Sequence, residues 1–356
     1  MNAALADLSP ADLEQQLAAW GCKPVHAARL LRAYYRGDGV IDWTTLVLPK
    51  ELTLRLQTGD APPAATLAAR QVAEDGTTKL LLRLRDGHTI ESVLMPAPRS
   101  DRVAGCLSSQ VGCAMGCDFC ATTRTGFERN LTAGEMVEQF LSLRRAARAV
   151  GRRVQTVVFM GMGEPLLNID QVLAAVRRIA SNGLGGLGWR QITISTVGLV
   201  PGIDALDATG LNVNLAISLH APDDATRARL LPAGRRFAVA EILAAADRFQ
   251  ARRGRPVSIQ YCLLKGVNDS LEQARSLAAL MRDRRMHVNL LHYNSTGLSL
   301  SGQVYQRSDP ATAAAFLAEL RAQHIVTHFR RSRGPDIDAA CGQLRRRALS
   351  RDGVPS

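Results

Sequence analysis

Apolar and polar positions along the chain change their period twice. Over residues 1 to about 60 they recur at helical spacing. Ser9-Pro10-Ala11-Asp12 forms a helix start before LEQQLAAW, and VHAARLLRAYYRG carries an apolar stripe that stops at a glycine. From about 65 to 97 alternation takes over, with TTKLLLRLR and HTIESVLMP on either side of the turn Asp86-Gly87, which predicts a strand pair. Beyond residue 100 strands and helices take turns. The extended candidates are VAGCLSS (103–109), TVVFMG (156–161), QITIST (191–196), VNLAISLH (213–220), PVSIQYCLL (256–264) and HVNLLHYN (287–294). Helical patterns lie between them, near 132–149, 169–181, 203–208, 239–252 and 270–284. Such alternation requires crossover connections, and hence a parallel sheet.

Six strand–helix units predict an α/β fold, a partial (β/α)6 barrel, which ATAAAFLAELRAQ and IVTHFRRS are available to extend. The expected organisation is a helical module over 1–64, a linking strand pair over 65–100, the barrel over 101–344 and a basic tail over 345–356 that frays. In a parallel barrel the loops at the C-terminal strand ends carry the chemistry. The polar punctuation falls at those ends: Cys113 to Cys120, Gly161 to Pro165, Ser195 and Thr196, Ser218 and His220, Tyr293 and Asn294. All are expected on one rim.

Composition narrows the class. A chain of 356 residues, 46% hydrophobic and 21% charged, can bury a sizeable core and is not mainly disordered. No apolar run approaches the roughly 18 residues that span a bilayer, and MNAALADLSPADLEQQL has no basic-then-apolar leader. A cytoplasmic protein without membrane association is expected. The 44 basic against 32 acidic residues leave a net charge of +12, which suits a polyanion such as nucleic acid. Only Lys23, Lys50, Lys79 and Lys265 are lysines and the chain is rich in Ala, so compositional bias accounts for the excess equally well. Arginine pairs recur at 144/145, 152/153, 252/253, 284/285, 330/331 and 345–347. Most would be solvated helix faces; Arg330, Arg331 and Arg333 are better placed to guide a phosphate backbone, which their forked donors match.

Seven cysteines, an odd number without a leader, do not make a secreted disulfide framework. Cys113, Cys117 and Cys120 in CAMGCDFC form a Cys-x3-Cys-x2-Cys triad whose thiolates repel one another unless a cation holds them. Zinc wants a fourth ligand, and no Cys or His lies within the next twenty residues; the nearest upstream is Cys106. A 4Fe-4S cluster held by three cysteines instead leaves one iron open to a small molecule. In MGMGEPLLN, Gly161 and Gly163 allow close backbone approach before Glu164, whose carboxylate can accept from an ammonium group. Singly, Ser195, Ser218, His220 and Asn294 read as satisfied polar groups at strand ends, Cys106 and Cys262 as small core residues, and Cys341 as a loop residue. Their common rim is what raises the first four.

The stretches GCLSSQVGCAMGCDFCATTRTGFERNLT, MGMGEPLLN, ITISTVGLVP, LAISLHAP and GPDIDAACGQL resemble the RlmN/Cfr family of radical S-adenosylmethionine (SAM) RNA methyltransferases, from about residue 80 to 344. The last of these motifs is not general to radical SAM enzymes. The resemblance implies one 4Fe-4S cluster on Cys113, Cys117 and Cys120, with SAM contacts at Gly163, Glu164, Ser195, Ser218, Leu219, His220 and Asn294. It implies methylation of C2 or C8 of an adenosine in large-subunit (23S) ribosomal RNA, and for some C2 members of transfer RNA. These carbons are too weakly nucleophilic for direct displacement on SAM, hence a radical.

In the implied scheme Cys341 takes a methyl from one SAM, and a second SAM yields the deoxyadenosyl radical that removes hydrogen from that methyl. The carbon radical adds to adenine, Glu91 accepts a proton, and Cys106 releases the product by forming a transient disulfide with Cys341. An external one-electron donor such as a flavodoxin or ferredoxin, and a monomeric chain, belong to the same expectation. Residues 1–64 are compatible with the family's accessory RNA-binding module. LLHYNSTGLSLSGQVYQRSDP departs from the C2-branch pattern, while GEP at 163–165 has its usual form; C2 is preferred as the commoner activity. Two other classes compete. A non-catalytic RNA-binding protein with zinc at the triad would have no use for Cys106 or Cys341. A radical SAM enzyme acting on a small molecule would not need the +12 charge.

Overall fold

The computed structural model describes residues 3–60, 62–330 and 332–337. The chain opens with three helices, α1 Pro10–Ala19, α2 His26–Arg36 and α3 Lys50–Arg55. The expected start of α1 is a capping box: Asp12 N donates to Ser9 Oγ at 3.1 Å, and Ser9 N donates to the Asp12 carboxylate at 3.0 Å. Leu13 and Leu17 of α1 and Leu30, Leu31 and Tyr35 of α2 are buried, in one continuous core with the barrel.

The extended region holds three strands rather than two: β1 Ala65–Val72, β2 Thr78–Leu84 and β3 Thr89–Pro96, joined as an antiparallel sheet. Among the described residues β1 pairs along one edge only and is mostly exposed, so its apolar signal is weak. β3 then pairs antiparallel with β4 Arg102–Cys106 and so welds this extension to the barrel.

From β4 the topology is that of crossover units. A short hairpin, β5 Gln110–Gly112 with β6 Phe127–Asn130, leads to α4 Ala133–Arg148. There follow β7 Arg153–Phe159, α5 Ile169–Ala180, β8 Ile192–Thr196, α6 Val200–Ala208 and β9 Asn214–Ser218. Next come α7 Asp224–Leu230, α8 Val239–Arg253, β10 Val257–Leu263, α9 Leu271–Met281, β11 Met286–His292, α10 Pro310–Ala322 and β12 Thr327–Arg330. β4, β7, β8, β9, β10, β11 and β12 pair in that order, all parallel. The barrel therefore has the six expected strands and a seventh, β12, built from the segment available to extend it.

The N-terminal helices dock on α4. Tyr34 donates to the Glu138 carboxylate, Asp7 accepts from Gly134 N at 3.1 Å and Thr132 Oγ1 at 2.7 Å, and buried Asp38 pairs with Arg144 at 2.9 Å. Among the described residues no helix is long and apolar enough to cross a membrane.

Candidate active site

The cysteine loop leaves β5 and returns through β6. Gly112 sits at φ +73°, where a Cβ would lie 1.8 Å from the Gly126 carbonyl oxygen, so glycine is needed for the loop to start. Cys113 N donates to that same carbonyl at 2.9 Å. Thr123 Oγ1 donates to the carbonyls of Cys117 at 3.1 Å and Cys120 at 2.9 Å. The three cysteines are half-buried and their sulfurs feel one another. Burial pushes the Cys113 thiol up to about 12; Cys117 is also raised, by burial first and then by Cys120 and Cys113. The loop thus gathers thiols that ionise together only against a cation. No three Cys, His, Asp or Glu side chains among the described residues converge as ligands of a single ion. A cubane asks for something else, because each cysteine binds a different iron. An all-sulfur set on an open loop, with a buried guanidinium near it that forms no ion pair among the described residues (Arg227, below), fits such a cluster.

Glu164 stands on the neighbouring strand end, after β7. Gly163 before it adopts φ +95°, and a Cβ there would meet Gln110 Cβ at 2.5 Å, so the Gly-Glu turn can press against β5. Gln110 fixes the turn by accepting from Glu164 N at 2.9 Å. The Glu164 carboxylate is 2% exposed and accepts from Leu166 N at 3.0 Å and Val197 N at 2.8 Å. Burial still dominates and lifts its pKa to about 7. A cationic amine is the partner such a carboxyl lacks.

Ser195 lies near the end of β8, Ser218 ends β9, and Leu219 N donates to the Gln260 carbonyl at 3.1 Å. His220 takes φ +59° and presents its ring edge-on to Phe119 of the cysteine loop, centroids 5.0 Å apart. Its Nδ1 accepts from Cys262 N at 3.0 Å, which leaves the proton on Nε2. Burial, then the charge of Arg227, draws its pKa down to about 3, so it is a neutral donor. Asn294 is half-buried just beyond β11. The expected SAM contacts therefore all lie at C-terminal strand ends, on the rim that carries the cysteine loop.

Cys106 ends β4 and is paired with Val93 of β3; Glu91, two residues before Val93, shares its face of the sheet. Glu91 is buried, not an exposed strand carboxylate. The Cys106 thiol is pushed up to about 12 by burial, with Glu91 adding to the rise, so it keeps its proton. Cys341, the tail over 345–356 and Arg331 lie outside the described residues. Cys262 is buried in a small cluster with Leu231, Tyr293 and Tyr305, as expected of a core residue.

Many of the arginine pairs are tied within the fold. Arg144 pairs with Asp38, Arg252 and Arg253 with Asp207, Arg284 with Asp247. Arg330 is exposed, with Nε 3.1 Å from Asn289 Oδ1, and Arg333 is exposed.

Sequence reasoning missed two groups at this site. Asp118, inside the cysteine motif, accepts from Ser301 N at 2.7 Å, Ser301 Oγ at 2.6 Å and Tyr305 OH at 2.6 Å, clamping the 295–307 loop to the cysteine loop. Its charged side chain between two ligand positions was a visible signal. Arg227 was not: it lies in DATRARL, a polar segment without helical patterning, which folds as α7 and buries its arginine.

Parallel strands carrying a three-cysteine loop and a Gly-Glu turn on one rim define a radical SAM enzyme, and the Radical SAM superfamily model matches residues 107–278. A crystal structure of a radical SAM methyltransferase from Sphaerobacter thermophilus superposes with a TM-score of 0.89 at 43% identity, over 96% of this chain and 98% of that one. A probable dual-specificity RNA methyltransferase RlmN 1 of Opitutus terrae is 70% identical over 345 residues, 97% of either chain. The probable RlmN of Heliobacterium modesticaldum is 42% identical, over 96% of this chain and 89% of its own. The chain belongs to the RlmN/Cfr family of radical SAM RNA methyltransferases.

Proposed function

We propose that this enzyme methylates C2 of an adenosine in large-subunit ribosomal RNA and in transfer RNA, with Cys341 carrying the methyl as S-methylcysteine. The observation that carries the reading is the juxtaposition on one rim of the cysteine loop, Glu164 and the strand end at Cys106. The dual specificity named for the Opitutus terrae relative supports a substrate range that includes both RNAs. With the cluster and SAM bound, one-electron cleavage of SAM would supply the radical that an unreactive aromatic carbon requires.

The chain's own residues divide the remaining work. Cys113, Cys117 and Cys120 hold the cluster. Gly163 lets the backbone close on Gln110, and Glu164 receives the amino group of SAM. The ring of His220 donates from Nε2, while Ser195, Ser218, Leu219 and Asn294 line the rest of the SAM site. Cys106 keeps its proton until product release, when the bond from the Cys341 sulfur to the methylene breaks as the two sulfurs join and the Cys106 proton completes the methyl. Glu91 behind it accepts the proton that leaves C2, and the adduct radical's one electron returns to the one-electron chain that began the turnover. Two SAM are consumed for each methyl delivered. An external one-electron donor of the flavodoxin or ferredoxin kind would feed a monomeric chain in the cytoplasm. Residues 1–64 form the RNA-binding module, 65–100 the link and 101–344 the catalytic barrel.

The test uses anaerobically reconstituted enzyme, methyl-labelled SAM, a reductant, and large-subunit ribosomal RNA or transfer RNA. Mass spectrometry of the Cys341 peptide and of nucleosides should find label on Cys341 and then on 2-methyladenosine, both lost in Cys341→Ala. 8-Methyladenosine would reverse the regiochemistry. Colourless protein holding one zinc, with no methyl on RNA, would reject the reading.

A further inference from the structure

Arg227 is 1% exposed, among the most completely buried large side chains of the molecule. It donates from Nη2 to the Val197 carbonyl, while Nε and Nη1, both buried, have no hydrogen-bond partner among the described residues. A guanidinium has five N–H donors and keeps its charge. Burial draws its pKa down only to about 10, so it remains a cation at neutral pH. A buried cation with idle donors is expensive unless an anion faces it, and among the described residues Arg227 forms no ion pair with a carboxylate.

Its neighbours say which anion. α7 lies against the cysteine loop: its last residue, Leu230, accepts from Asp118 N at 2.9 Å. Leu230 and Leu231 pack with Cys117, Phe119 and Val197 in one cluster. Ionised Cys117 attracts Arg227 most, ahead of Asp224, whose carboxylate accepts from Val239 N at 2.7 Å, while His220 is neutral. The guanidinium is thus fixed at the Val197 strand end, within electrostatic reach of Cys117.

We propose that Arg227 is the fixed countercharge of the cluster held by Cys113, Cys117 and Cys120, and that it raises the cluster's reduction potential. The inference rests on the cluster reading above and goes beyond it. Three thiolates around an oxidised 4Fe-4S core leave one net negative charge. Reduction takes one electron from an external donor and leaves two, with no proton moved at Arg227. A cation fixed beside the cluster in a water-poor setting favours the more negative state. Arg227 acts here as a positioning residue for charge, touching neither SAM nor RNA.

The experiment is an EPR-monitored redox titration of the reconstituted full chain, without SAM, for wild type, Arg227→Met and Arg227→Lys. At the wild-type midpoint, Arg227→Met should hold at least about tenfold less reduced cluster relative to oxidised, a fall of about 59 mV for one electron. Arg227→Lys keeps the charge but not the forked geometry, and its ratio should stay within about threefold of wild type. Loss of the Val197 hydrogen bond alone would disturb Glu164 and SAM affinity, not the potential of SAM-free protein. Equal potentials in all three proteins would overturn the proposal, as would a shift seen only after SAM is added, which would assign Arg227 to the SAM carboxylate. If Arg227→Met takes up no cluster, Arg227→Gln, which keeps donors but not the charge, decides: a tenfold loss of reduced cluster supports the proposal and a wild-type potential overturns it. A wild-type chain that binds no iron and sulfide would overturn the cluster reading itself, and this proposal with it.

Discussion

At Glu164 two backbone N–H groups, from Leu166 and Val197, favour the ionised carboxyl, yet burial outweighs them and the group titrates near pH 7. Below that pH it is neutral and loses its charge-assisted bond to an ammonium group. SAM affinity measured by calorimetry should therefore rise as pH increases through about 7. Glu164→Gln should weaken binding roughly tenfold or more, as expected for a bond of about 1.5–3 kcal/mol to a charged group, and should remove that part of the rise. His220 contributes no pH dependence in this window, because its pKa of about 3 keeps it neutral throughout. The Gly-Glu motif itself was legible, since the turn is local. The carboxyl's shifted pKa was not, because Val197, thirty-three positions away, is among the groups that enclose it.

Two contacts between distant elements govern how the site is held. The first joins the cysteine loop to the 295–307 loop through Asp118, Ser301 and Tyr305. Tyr305→Phe removes one hydrogen bond to a buried carboxylate and should cost roughly 1.5–3 kcal/mol in denaturant unfolding; Phe should fill the same space, so the cluster content should survive. The second joins the N-terminal helices to the barrel. Glu138 on α4 is 1% exposed and accepts from Tyr34 of α2, and burial raises its pKa to about 7. A carboxyl raised in the folded state binds more protons there than when unfolded. Its contribution is present below the ordinary carboxyl range and is lost as pH rises through about 7. Glu138→Gln should flatten that fall, by up to about 3 kcal/mol between pH 4 and 8, as read from denaturation midpoints at each pH.

Over the whole molecule fewer of the paired arginines are free for a partner than their number suggests, since Arg144, Arg252, Arg253 and Arg284 are engaged in ion pairs. The exposed arginines of α2 are an exception. Arg29, Arg32 and Arg36 line one side of a surface groove with Val40, Thr45 and Leu46. The RNA-binding role proposed for residues 1–64 predicts that Arg32→Ala with Arg36→Ala weakens RNA binding at low salt. The slope of log affinity against log salt should fall by about 1 to 2, at roughly 0.7–0.9 for each phosphate that an arginine no longer neutralises. An unchanged slope would remove α2 from the RNA surface.

The chain by itself determined its chemistry and the rim that carries it. The three-cysteine spacing is local, and strand ends are marked by punctuation within a few residues, so both survive without knowledge of the fold. It also determined the six-strand barrel, because crossover alternation is written in the hydrophobic period. Only the tertiary structure decided that β1 and β12 complete the sheet, that Asp118 clamps a loop 183 positions away, and that Arg227 is a buried cation beside Cys117. The reason is the same in each case: burial and charge environment are set by what packs against a residue, and those neighbours come from far along the chain.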